Sequence, residues 1–293
     1  MNDSVIHADL IAVLVAVTAR EPRVLTINHG YALPAGPLQI GHRSLQSGLR
    51  AWVEEQTHHS LGYVEQLYTF ADQRSGTGRS ISISYLALSR EKAAEYPGAA
   101  WRSWYDYFPW EDVRLSTLNL KEITQCLDKW VGTKSERRAR VNALFGIEER
   151  GWNEELVLQR YELLWEAGLV PEALRATPSE LGIKAGMEMT HDHRRILATA
   201  IARLRAKIKY RPVVFELLPN EFTLLELQQT MEALAGRSLH KPNFRRLIEQ
   251  QDLVEETGRV SSGLAGRPAK LFRFRAEILA ERGFIGSKLP IVR

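Results

Sequence analysis

The chain has 293 residues, 44% hydrophobic and 25% charged, the make-up of an ordinary globular protein with a real core and material for two domains. Cys126 is the single cysteine, which excludes an internal disulfide framework and a thiolate zinc site and leaves a packed apolar side chain as its expected role. The longest apolar run near the start, Leu10 to Val17, is too short to span a bilayer and follows no basic segment, so a cytoplasmic protein with no membrane partner is expected.

The net charge of +4 is unevenly spread. Residues 191–293 hold 19 Lys+Arg against 11 Asp+Glu, whereas residues 1–190 hold 20 against 24. A basic module joined to an acidic one points to a polyanion as the partner of the former, nucleic acid being the commonest.

In chain order, Leu10 to Thr18 and Arg23 to Asn28 read as a hairpin with Glu21-Pro22 as turn material. The loop Gly30 to Gly41 carries Pro34, Gly36 and Pro37, and a helix is expected from about Ser44 to Thr57. Val64 to Phe70 reads as a strand, Asp72 to Gly78 as a polar turn, and Ser80 to Leu88 as a strand with alternating faces.

The stretch Ala35 to His58, AGPLQIGHRSLQSGLRAWVEEQTH, resembles a worn Nudix box, whose working form reads G-x5-E-x7-R-E-U-x-E-E-x-G-U, with U apolar. The leading Gly falls on Gly36, the Arg on Arg50, the U on Trp52 and the carboxylate pair on Glu54 and Glu55. His42, Ala51 and Thr57 stand where Glu, Glu and Gly are expected. A box of this kind gathers carboxylates on one helical face to hold a divalent cation against a pyrophosphate. The methyl of Ala51 neither binds metal nor takes a proton from water, so no catalytic residue and no metal are assigned, and Glu54 and Glu55 are vestigial. The bland reading is an amphipathic helix with solvated charges. The run EQLYTFADQRSGTGRSISISYLAL, Glu65 to Leu88, is similar to what the Nudix-related regulators of the NrtR group carry at this point.

Trp101, Trp104, Tyr105, Tyr107, Phe108 and Trp110 then fall within ten residues, a pattern open to a nucleotide pocket wall but more often core packing. Helices are expected near Lys121–Trp130, Ser135–Phe145 and Asn153–Ala167, the last closed by Gly168 and Pro171. They form a helical insertion at about 111–188. Its cluster Lys134, Arg137, Arg138 and Arg140 reads as a solvated face rather than a phosphate site. Thr190 is the expected N-cap of a helix striped by Ile196, Leu197, Ala200, Ile201, Leu204 and Ile208, with Arg203, Arg205, Lys207 and Lys209 where the helix dipole favours cations. His191 and His193 would diverge on a helix, which disfavours a metal pair.

From Arg211 the pattern is a winged helix-turn-helix: a short helix from Pro212 to Leu217, a second capped by Thr223 and ended by Gly236, and a third opened by Pro242. On a helical wheel Phe244, Leu247 and Ile248 face inward while Asn243, Arg246 and Gln250 share the opposite face with Arg245 beside them. Arg, Asn and Gln pair bidentately with base edges, so these residues and Lys241 are the expected DNA-reading set. Leu253 to Glu256 and Lys270 to Phe274 are the expected wing, offering Arg267, Lys270 and Arg273 to phosphates or the minor groove. A winged helix that mediates only protein contacts is the bland alternative.

The segments YRPVVFELLP, FTLLELQ, NFRR and GRPAKLFRF resemble the C-terminal module of the NrtR group, and the inserted helices are similar to its longer alphaproteobacterial branch, the NadQ-type repressors of NAD synthesis genes. The resemblance implies an α+β fold: a Nudix-like α/β/α sandwich with a helical insertion (residues 1–210) followed by a winged helix (residues 211–293). It further implies a homodimeric repressor of NAD metabolism genes on a palindromic operator, sensing ADP-ribose, NAD or ATP and needing no cofactor. Phosphate and adenine chemistry nominates Arg50, Gln66, Tyr68 and Arg79 as ligand contacts, by analogy with a pocket between the box and the strands after it. A hydrolase with its base displaced to Glu65 or into the insertion is the competing class.

Overall fold

The computed structural model describes residues 6–73, 79–92, 96–114, 116–147, 151–176, 185–261 and 268–275. Its centre is β1 (Ile6–Thr18), thirteen residues long. One edge of β1 pairs in parallel with β5 (Arg79–Leu88); the other pairs antiparallel with β3 (Ala35–Pro37) at Asp9–Ile11 and with β2 (Glu21–Thr26) at Val15–Thr18. With β4 (Tyr63–Gln73) outside β5 and β6 (Ala100–Ser103) outside β2, the order is β4-β5-β1-β2-β6.

The unbroken apolar run of β1 follows from burial on both faces. Leu10, Ala12, Leu14 and Ala16 pack on one side with Leu49, Val53, Tyr85 and Trp101; Ile11, Val13 and Val15 pack on the other with Phe70, Leu86 and Trp104. The same double coverage buries Ser84 through Leu88, so β5 does not show the alternation expected of a half-exposed strand.

The first face is covered by α1 (Leu45–Thr57), opened by a reciprocal box between Ser44 and Ser47 and closed by His58 in the left-handed conformation. The second face is covered by α6 (His193–Lys207), on which the inserted helix α4 (Val157–Glu166) packs; α3 (Ser135–Phe145) and α5 (Pro171–Ala176) pack on α4, and α2 (Leu118–Val131) on α3. Trp101, Trp104, Tyr105, Tyr107, Phe108 and Trp110 are all buried, so the aromatic cluster is core and not a pocket wall. Cys126 is buried too.

The C-terminal unit has a short 3-10 turn (Val213–Leu217), α7 (Leu224–Ala235), α8 (Lys241–Gln251) and a wing of β7 (Val254–Val260) and β8 (Lys270–Phe274). Thr223 and Glu226 cap α7 reciprocally, and Gly236 ends it at φ 71°. Phe222 exchanges both backbone hydrogen bonds with Phe272, adding a third strand fragment to the wing, and Phe215 stacks on Phe274 at 4.3 Å.

Several local expectations need correction. The β1–β2 turn is Ala19-Arg20, both at positive φ (51° and 66°) as a two-residue hairpin of this twist demands, and Pro22 lies in the strand opposite Val17. Gly30 to Gly41 is not all loop, because β3 lies within it. β4 runs on to Gln73; the rest of the expected turn, 74–78, lies outside the described residues. Pro171 opens α5 instead of merely ending a helix. Asp192, not Thr190, precedes α6, because the Thr190 N–H and hydroxyl donate to the Tyr31 carbonyl. Arg205 is fully buried and serves no solvent-exposed helix end.

Candidate nucleic-acid interface and effector site

α8 owes its orientation to Phe244 and Ile248, which are buried at one helical turn's spacing and fix the helix on α7. Lys241, Asn243, Arg245, Arg246 and Gln250 are thereby turned to solvent. None of these five side chains has a hydrogen-bond or ion-pair partner among the described residues. Three unneutralised cations with two amides on one exposed helix is the arrangement that base edges and phosphates require.

The wing's cations are in a different state. Lys270 donates to both carboxylate oxygens of Glu256 (2.8 and 2.9 Å), and Arg273 is paired with Glu255 across the ladder. Both cations are about two-thirds exposed, and such pairs are worth about 0–1 kcal/mol, so exchange for a phosphate costs little. Arg267 lies outside the described residues.

The loop that leads from β3 into α1 is held by side chains of α1. Gln56 clamps Ala35, accepting from its N–H (3.0 Å) and donating to its carbonyl (2.8 Å). The Trp52 indole donates to the Pro37 carbonyl at 3.0 Å and lies where a Cβ on Gly36 would have to go, so Gly36 is sterically required. His42 accepts from Gln39 N–H at 3.1 Å and packs over Gly48, a structural role in place of a ligand's. Arg50 donates to the carbonyls of Leu61 and Gly62 and ties the middle of α1 to the segment that enters β4. Glu54 and Glu55 are exposed, and no cluster of three metal-ligating side chains exists among the described residues. Glu65, the displaced base of the hydrolase reading, accepts from the Tyr63 hydroxyl at 2.6 Å and is ion-paired with Lys207.

The four nominated ligand contacts do not converge within one chain. Gln66 and Tyr68 flank a bulge in β4 and are exposed, Gln66 bonding Thr69 and Tyr68 meeting Phe70 edge-on at 4.9 Å. Arg50 sits by Gly62 at the start of β4, whereas the Arg79 backbone pairs with Gln73 at its end, about 34 Å away along an extended strand. The Arg79 side chain lies outside the described residues.

Residues not anticipated from sequence join the two units. Glu111, Arg160 and Arg205 are fully buried together: Arg160 donates to both Glu111 oxygens (2.6 and 2.9 Å) and Arg205 to one of them at 2.5 Å. Arg205 Nε also donates to the Leu234 carbonyl at 2.8 Å, Tyr105 hydroxyl to Ala233 at 2.6 Å, and Val113 N–H to Gly236 at 2.8 Å. The end of α7 is therefore held by the sheet domain and the insertion. Burial pushes the Glu111 carboxyl up, but the two guanidiniums outweigh it and hold the group below the ordinary carboxylate value. The signal lay in the α6 wheel, where Arg194 and Arg205 fall inside the apolar stripe.

His193 is no metal ligand. Its Nδ1 accepts from Leu33 N–H at 2.9 Å, and burial first, with His191 second, pulls its pKa down to about 4. Three cations of the insertion's cluster are satisfied internally: Arg138 by Asp128, Arg140 by Glu166, and Arg137 over the Trp130 ring at 4.1 Å.

Fold and site together define a two-domain α+β protein, an α/β/α sandwich with inserted helices joined to a winged helix whose third helix presents free cations. Residues 214–274 match the family described as the NrtR DNA-binding winged helix domain. Over 89 residues, 30% of its length, the chain is 42% identical to the ADPR responsive transcriptional repressor NtrR of Acinetobacter baylyi, and the match covers 35% of that protein. NrtR of Shewanella oneidensis, solved in complex with a 27mer DNA, shares the fold over 92% of this chain and 93% of its own, with a TM-score of 0.56 and 22% identity. A MutT/nudix family protein from Enterococcus faecalis does so over 94% and 88%, with a TM-score of 0.55 and 18% identity. Residues 214–274 thus carry a winged helix of the NrtR type, and the chain as a whole shares the fold of the NrtR structure.

Proposed function

We propose that the protein is a transcriptional repressor that binds operator DNA through α8 and the wing, and that its Nudix-like domain senses an adenine nucleotide. The observation that carries this reading is the exposed face of α8, where Arg245 and Arg246 have no partner within the described residues. The names of the relatives add that one is responsive to ADP-ribose and another was crystallised on DNA, which makes ADP-ribose the first effector to try, ahead of NAD and ATP. The division of labour falls at about residue 210: 1–210 for sensing, 211–293 for DNA. A homodimer on a palindromic operator, controlling NAD metabolism genes as the NadQ-type branch does, completes the proposal. Such a protein works in the cytoplasm, consistent with the lack, among the described residues, of any helix long and apolar enough to cross a membrane.

Hydrolysis is disfavoured by Ala51 in place of a carboxylate and by the engagement of Glu65 with Lys207. An effector acts only if it binds one arrangement of the dimer better than another. In the test, a fluorescent duplex from the protein's own upstream region is titrated at fixed salt with ADP-ribose, NAD, ATP or no nucleotide. Sequence-selective binding that one nucleotide shifts, without its consumption, is expected. Arg246→Ala should weaken it by about 1–3 kcal/mol with folding intact. Absence of selective binding together with released phosphate or AMP would replace this reading by the hydrolase.

A further inference from the structure

The turn that joins α7 to α8, residues 236–240, is pinned at its two ends by different parts of the molecule. Gly236 lies at φ 71° and its carbonyl accepts from Val113 N–H at 2.8 Å. A Cβ there would fall 2.0 Å from the Glu111 carbonyl oxygen, so the sheet domain fixes where α7 stops. At the other end α8 starts from His240, which gives it no side-chain cap. Its first turn therefore depends on what holds Leu239.

Two side chains of α7, one helical turn apart, do so. Glu232 Oε1 accepts from the Leu239 N–H at 2.9 Å and from Gln228 Nε2 at 2.9 Å, and the same Gln228 nitrogen donates to the Leu239 carbonyl at 3.2 Å. Both backbone groups of Leu239 are thus bound to one face of α7. Gln228 is buried, and the Leu239 side chain packs against the core.

What this arrangement sets is an angle. Phe244 and Ile248 press α8 on to α7, but apolar contact has no preferred direction, whereas hydrogen bonds do. With a rise of about 1.5 Å per residue, a tilt of about 10° at Lys241 displaces Gln250 by about 2 Å, more than a hydrogen bond to a base edge tolerates. We propose that Gln228 and Glu232 are positioning residues for base reading: without touching DNA, they set the entry angle of α8, so that selectivity for the operator depends on them. The proposal rests on the reading of the protein as an operator-binding repressor.

The test compares dissociation constants for a duplex from the protein's own upstream region and for a scrambled duplex. Salt is fixed, and the temperature is one at which circular dichroism shows every variant folded. Glu232→Ala and Gln228→Ala should each lower the ratio of upstream to scrambled affinity by about tenfold, the discrimination of one bidentate contact, with scrambled binding unchanged. Glu232→Gln, whose amide oxygen still accepts both N–H groups, should bring the ratio back to within about twofold of wild type. Thr223→Ala removes the cap at the far end of α7, destabilises the same helix and should leave the ratio as it is in wild type. The Leu239 amide should exchange about tenfold faster in Glu232→Ala. A wild-type ratio in Glu232→Ala, an equal fall on both duplexes, no recovery in Glu232→Gln, an equal loss in Thr223→Ala or unaltered exchange at Leu239 would each overturn the assignment and leave the repressor reading standing. Failure of the wild type to prefer the upstream duplex would remove that reading, and this assignment with it.

Discussion

Glu111→Gln tests whether the buried charges join the two units. The substitution keeps the volume of the side chain but removes its charge, stranding the guanidiniums of Arg160 and Arg205, both fully buried. Their remaining partners are neutral: the carbonyls of Leu144 and Asn153 for Arg160, and of Glu154 and Leu234 for Arg205. Breaking a buried ion pair from one side costs about 3–5 kcal/mol, because a desolvated charge is left uncompensated. Against a total stability of about 5–15 kcal/mol that is a large fraction, and it corresponds to a fall in melting temperature on the order of 10 °C. Urea and thermal unfolding of wild type and variant give the number. Because the folded carboxyl is held below its unfolded value, its contribution is present above the ordinary carboxylate pKa and lost as pH falls through the lower folded value. The wild type, but not the variant, should therefore lose this increment in acid. A loss under about 1 kcal/mol, or identical acid unfolding of the two proteins, would mean that the triad is solvated and that the link between the units lies elsewhere.

His193 predicts a second, milder pH dependence. Its folded pKa is about 4 against 6.5 when unfolded, so the unfolded chain binds the extra proton and stability falls as pH drops from about 6.5 towards 4. At 1.36 kcal/mol per unit the full effect is about 3 kcal/mol, and His193→Asn, which keeps an acceptor for Leu33, should abolish it in denaturant titrations at stepped pH. Gln56→Ala removes both hydrogen bonds to Ala35 and should cost about 1–3 kcal/mol in chemical denaturation while leaving DNA binding by the winged helix intact. Lys270→Ala and Arg273→Ala should change stability by no more than about 0.5 kcal/mol, yet each should reduce the salt slope of DNA binding by about 1.

What could be read from the chain alone was local in origin. Thr223 and Glu226 three residues apart, Gly236 past the last apolar position and Pro242 at the next start delimit α7 and α8, because caps and backbone preferences act over a few residues. The spacing of Phe244 and Ile248 already decided that Asn243, Arg246 and Gln250 would face solvent. Tertiary structure decided the rest. β3 was hidden because three residues without alternation become a strand only when β1 offers its edge. Arg79 and Arg50, both near the box in sequence, are carried to opposite ends of β4 by the ladder. Arg205 looked like a cation at a helix end, although its place in the apolar stripe marked it for burial, and only the fold supplied Glu111, ninety-four residues away, to neutralise it. The wing cations find Glu255 and Glu256 across a ladder whose register is set by packing. Caps and periodicity are properties of adjacent residues, whereas burial and charge neutralisation depend on which distant segments meet, and that is decided by the packing of the whole core.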